Sequence, residues 1–100
     1  MTEKAQLSEL ETEPHAILFD GAEPRTIRLS LDADQRVDEH RHPGRVVVIY
    51  LIEGAIDLSL DGEVHRLTAG EAIRFDGDQD IAPAAIEDST ALVVLVEAPA

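Results

Sequence analysis

The sequence predicts an all-β domain, a sandwich or a barrel, and three observations predict it. Short apolar runs bounded by turn residues recur about every 8 to 12 residues. No apolar spacing of three and four persists long enough to mark a long helix. Asp61-Gly62, set between two alternating segments, is a pair that favours a two-residue hairpin. One hundred residues, 44% of them hydrophobic, suit one compact domain with a modest core, so a homodimer is the expected assembly.

Each element follows from its local pattern. Residues 1–14 carry Leu7 and Leu10 among acidic and polar neighbours, enough for one helical turn that Pro14 ends. They are expected to form a mobile or loosely docked arm ahead of a single domain over 15–100. HAILF at 15–19, closed by Asp20 and Gly21, reads as a strand. From Arg25 to Leu31 the residues Ile27, Leu29 and Leu31 alternate with Arg28 and Ser30, which marks a strand with one wet face. DADQ at 32–35 is a turn, after which a strand leads through Val37 to His40 and His42. Pro43 and Gly44 break the chain, and VVVIYLI at 46–52 is apolar on both parities and β-branched, so a strand covered on both faces is expected.

Past Glu53-Gly54, the residues Ile56, Leu58 and Leu60 share one face of a strand that the Asp61-Gly62 turn joins to EVHRL. EAIRF at 71–75 follows the loop TAG. DGDQD at 76–80 is an acidic loop, and 81–86 is extended around Pro83, which an edge strand tolerates best. ALVVLVE at 91–97 is the last buried strand.

Charge narrows the function. Twenty-one acidic side chains against eight basic ones give a formal charge of −13. Such a field repels phosphate backbones and anionic lipid surfaces, so neither nucleic acid nor a membrane is an expected partner. Tyr50, Phe19 and Phe75 are the whole aromatic complement, too few for a base-stacking platform. The carboxylates are interleaved with apolar residues rather than run together, a composition like that of proteins from salt-loving organisms. The absence of cysteine removes disulfides, thiolate metal sites and cysteine nucleophiles. No apolar run approaches bilayer length, and MTEKAQLSELETE is too acidic for a signal peptide, so the expected location is the cytoplasm. Ser30, Ser59 and Ser89 lack the glycine pattern of a nucleophile elbow.

The chemistry concentrates in HRHPGRVVVIYLIEG at 40–54. Residues two apart on a strand point the same way, so His40 and His42 share a face in a ligand-like arrangement. They supply two donors where a closed metal site uses three or four. Arg41 and Arg45 flank them, and two guanidiniums there either hold a ligand carboxylate or pair with Asp38 or Glu39. Asp76, Asp78, Asp80 and Glu87 echo calcium-loop spacing, but Ile81, Pro83 and Ala84 fall where oxygen donors belong, so a solvated loop is expected instead.

With those residues in place, the chain resembles the cupin superfamily, whose members are double-stranded β-helices, small jelly-roll barrels with a site inside. His40, His42 and Gly54 match the first cupin motif, while its first glycine falls on Asp34 and its glutamate on Val47. Gly70 matches the second motif, while its proline, glycine, histidine and asparagine fall on Asp76, Asp78, Ile81 and Ala85. HPGRVVV, LIEG, DGEVHRLTAGEA and AIEDSTALVV look like a group of small cupins that lack the motif glutamate. The resemblance implies an inward-facing pocket lined by Val47, Ile49, Leu51 and Ile81 beside the histidine pair. It also implies that His40 and His42 are the surviving metal ligands, with any divalent transition metal weakly held unless a third donor comes from Asp80, Asp38, Glu39 or His65. The expected function is a small-molecule binding or sensing module that has no catalysis and needs no cofactor. One alternative is a metal-dependent dioxygenase or isomerase with a nonstandard third ligand; another is a structural or interaction protein whose barrel is simply filled by side chains, which a barrel void too small for more than a water or two would favour.

Overall fold

The computed structural model describes residues 2–21 and 23–99, so Met1, Ala22 and Ala100, which the sequence-based domain bounds include, lie outside it. Eight strands run in chain order: β1 (His15–Ile17), β2 (Arg25–Leu31), β3 (Arg45–Glu53), β4 (Ala55–Leu60), β5 (Glu63–Thr68), β6 (Ala72–Asp76), β7 (Ile81–Ala85) and β8 (Ser89–Glu97). They form a five-stranded sheet in the order β1-β2-β8-β3-β6 and a three-stranded sheet in the order β5-β4-β7, with every pairing antiparallel. This is the jelly-roll architecture that the strand spacing and the resemblance implied. Among the described residues, no helix is long and apolar enough to cross a membrane.

The core lies between the sheets and is built by alternation. Ile27, Leu29 and Leu31 of β2 meet Ile56, Leu58 and Leu60 of β4 and the inward residues Val47, Ile49 and Leu51 of β3. Apolar area removed from water on this scale is the main term holding a small β-domain together. The hairpin between β4 and β5 turns at Asp61 and Gly62, whose φ of 49° and 85° are the two left-handed conformations such a turn demands.

Three expectations change. The strand at 46–52 is not covered on both faces: Val47, Ile49 and Leu51 are buried, whereas Tyr50 and Ile52 stand 43% and 40% exposed on the outer face of the large sheet. The face of β2 expected to be wet is instead dry, with Thr26 and Arg28 both buried. The N-terminal arm covers it. Arg28 donates to the carbonyl oxygens of Leu7 and Leu10 at 3.0 Å and of Thr12 at 2.7 Å, so a charged fork fastens the arm across the sheet. Among the described residues of the arm, the one regular piece is a 3-10 turn at Leu7–Glu9.

The third change concerns the strand expected to reach the histidines. Residues 34–40 lie antiparallel beside β7, and Asp34, Val37 and His40 donate their N–H groups to the carbonyls of Ala85, Pro83 and Ile81. Only isolated bridges form there, at Arg36 and His40. Pro83 faces this segment and has no N–H to return, which interrupts the ladder in its middle.

Candidate functional site

The site lies at the mouth of the barrel, where the irregular segment 36–45 crosses the open ends of the sheets. Asp34 occupies the position where a glycine is expected, and it keeps a left-handed backbone at φ 70° while its N–H holds Ala85. The acidic loop 76–80 fastens the other end. Asp78 accepts from the Gly44 N–H at 3.0 Å, Asp80 accepts from Arg41 at 2.7 Å, His42 donates its N–H to the Gly77 carbonyl, and Gly77 donates its own to Arg45. Gly77 is a contact glycine: a Cβ there would stand 2.9 Å from the Arg45 carbonyl oxygen and closer still to that of His42. Asp78 and Asp80 thus clamp the histidine turn, while Asp76 accepts the Asp78 N–H at 2.9 Å and shapes the loop itself.

His40 and His42 do share a face, with ring centroids 4.9 Å apart and planes at 82°. Nδ1 of His40 lies 2.8 Å from the Asp38 carbonyl, which can only accept, so that nitrogen carries the proton and Nε2 is left available. A third imidazole stands with them. His15, the first residue of β1, lines the same cavity and interacts with both others. Partial burial, then the neighbouring His40, lowers the pKa of His15. His42 is lowered by burial first, then by His40, Arg25, His15 and Arg45. Sequence reading passed over His15, because it opens a separate strand 25 residues from the pair in a region without a motif.

Two spaces meet at these rings. Outside them is an open cavity of about 840 Å³, with His15, His40 and His42 on its wall beside Arg25, Arg36 and Val37. Beneath them, among Val47, Ile49, Phe75, Ile81 and Val93, is a void of about 50 Å³. The four residues expected to line a pocket therefore divide. Val47, Ile49 and Ile81 bound only the small void, and Leu51, fully buried, lines neither space. Room for about one or two waters is all the void offers, because aliphatic side chains from both sheets plug the barrel below the histidines.

The proposed third donors do not gather at the pair. Asp80 is engaged by Arg41, His65 sits on β5 at 3.4 Å from Glu63, and Glu39 is exposed. Asp38 lines the cavity and meets His40 through its carbonyl. Among the described residues, no group of three or more His, Asp or Glu side chains is arranged to hold a metal ion. Arg41 and Arg45 pair with Asp80 and Glu23, not with Asp38 or Glu39. Glu23 comes from the β1-β2 connection, a partner only the fold supplies.

A jelly-roll barrel with a histidine-lined mouth defines a class, and sequence comparison assigns the chain to it. The model of the family described as Cupin domain matches residues 27–97, and the chain belongs to that family. Among solved structures it is similar to KdgF from Halomonas sp., at 20% identity and a TM-score of 0.82 over 99% of this chain and 96% of that one. It is also similar to a predicted oxalate decarboxylase from Thermotoga maritima, at 18% identity and 0.83 over 96% and 100%. A conserved protein of unknown function from Streptococcus pyogenes reaches 26% identity and 0.74 over 86% and 75%. No curated protein matches the sequence.

Proposed function

We propose that this small cupin is a small-molecule binding or sensing module that works at the mouth of its barrel, without catalysis and without a resident metal. The observation that carries the reading is the pairing of the two spaces: a cavity of about 840 Å³, in the range of small-ligand sites, over a barrel interior with only about 50 Å³ free. Two of the four ligand positions of the family pattern hold Val47 and Ile81, each buried, so the protein offers a metal ion neither a carboxylate nor an imidazole there. Two neutral imidazoles and water make a weak site, since stable zinc centres use at least three protein ligands. The neighbours at 18% and 20% identity testify to the fold and not to an activity, and the one at 26% is a protein of unknown function, so the reading rests on the site.

One observation favours the alternative, a metal-dependent enzyme of dioxygenase or isomerase type: His15 brings a third imidazole towards the pair. Elemental analysis of protein purified without a histidine tag separates the two. The binding-module reading expects substoichiometric transition metal. Stoichiometric metal that disappears in the His40→Ala, His42→Ala variant would overturn it.

A further inference from the structure

The charges around the mouth are unlike those of the rest of the chain. Four of the eight basic side chains, Arg25, Arg36, Arg41 and Arg45, line the large cavity, whereas Asp38 alone represents the 21 acidic ones. Two of those arginines are already neutralised by Asp80 and Glu23. Arg25 and Arg36 are not: among the described residues neither forms a salt bridge. Both are exposed, and their guanidiniums are free to turn into the cavity without breaking an existing pair. A concave, partly apolar surface that gathers one sign of charge focuses its field, so the mouth offers an anion positive charge on a chain whose formal charge is −13.

We propose that the mouth cavity takes a small organic acid, its carboxylate held by Arg25 and Arg36 and the rest of the molecule lying over the histidine wall and Ile27. This rests on the reading of the mouth as the ligand site. A planar guanidinium fork presents two parallel N–H groups to a carboxylate, the strongest neutralisation an arginine can make, and Ile17, Ile27, Val37 and Leu95 supply apolar wall for a carbon skeleton. Arg41 and Arg45, already held by carboxylates, position the turn and leave the ligand to the other two.

The test uses acids and their neutral amides of nearly the same shape: benzoate and benzamide, succinate and succinamide, gluconate and gluconamide. Ligand-observed saturation-transfer NMR on the tag-free full chain at physiological salt ranks the six, and calorimetry measures those that bind. At least one acid is expected to bind about tenfold or more tightly than its amide, a difference of about 1.4 kcal/mol. The Arg25→Gln, Arg36→Gln variant should lose that preference. Arg74→Gln, which removes the same charge from β6 away from the cavity, should keep it. Equal binding of acid and amide, or an acid preference that survives the double variant, overturns the organic-acid assignment and leaves the small-molecule reading standing. Binding by none of the six overturns both.

Discussion

Replacing Val47 with Glu and Ile81 with His returns donors to the two ligand positions that this chain fills with aliphatic side chains. Both residues are nearly inaccessible, at 1% and 3% exposure, and both border the void of about 50 Å³ beneath His40 and His42. A carboxylate placed there without a partner is an uncompensated buried charge, which destabilises by about 3–5 kcal/mol. In a domain of this length each kcal/mol moves the melting temperature by about 4–8 °C, so the metal-free double variant should melt roughly 12 °C or more below the parent. Zinc at a hundred times its Kd should return about 2.7 kcal/mol to the variant. Thermal melts with and without zinc or manganese, paired with elemental analysis after desalting, read both effects. Val47→Glu alone serves as the milder variant if the pair does not fold. Two results would refute the reasoning: a parent that gains as much from metal as the double variant, or a double variant that gains nothing. Either would mean that positions 47 and 81 are not the missing corners of a metal site.

Two further predictions come from the same geometry. Gly54→Ala should destabilise by at least about 2 kcal/mol in chemical denaturation, because φ of 91° is costly for alanine and its Cβ would press on Ser89 and on the Asp88 carbonyl; a loss under about 0.5 kcal/mol would contradict the close approach. For pH, His15 and His42 have folded pKa values below the ordinary 6.5, so the unfolded chain takes up their protons first. Their contribution is complete above about pH 6.5 and is lost as pH falls from there through the lowered folded values. The melting temperature should therefore drop on acidification below neutrality, and the drop should be shallower in His15→Gln, His42→Gln; equal slopes in parent and variant would rule out this linkage.

Much of the fold could be read from the chain because its signals are local. The alternation of Ile27, Leu29 and Leu31, the shared face of Ile56, Leu58 and Leu60, and the Asp61-Gly62 turn each express a two-residue period or a dihedral requirement that needs no distant partner. The histidine pair was visible from its two-residue spacing, although the segment that carries it is irregular and not the strand expected there. What one face of β3 meets was not visible, since Val46 and Val48 are as apolar as Val47 and Ile49 and only the second sheet decides which parity is buried.

The sequence by itself determined the eight regular strands, through its family resemblance the jelly-roll class, and the coming together of His40 and His42, though not the irregular course of the segment that carries them. The tertiary structure decided the rest of the site: that His15 joins them, that Glu23 and Asp80 take Arg45 and Arg41, that Arg28 binds the arm, and that the open space lies outside the barrel rather than within it. The physical reason is range. Backbone preference and side-chain period act within a few residues, whereas charge pairing and cavity volume depend on groups 20 to 40 residues apart in the chain, whose meeting is set by how two sheets close on one another.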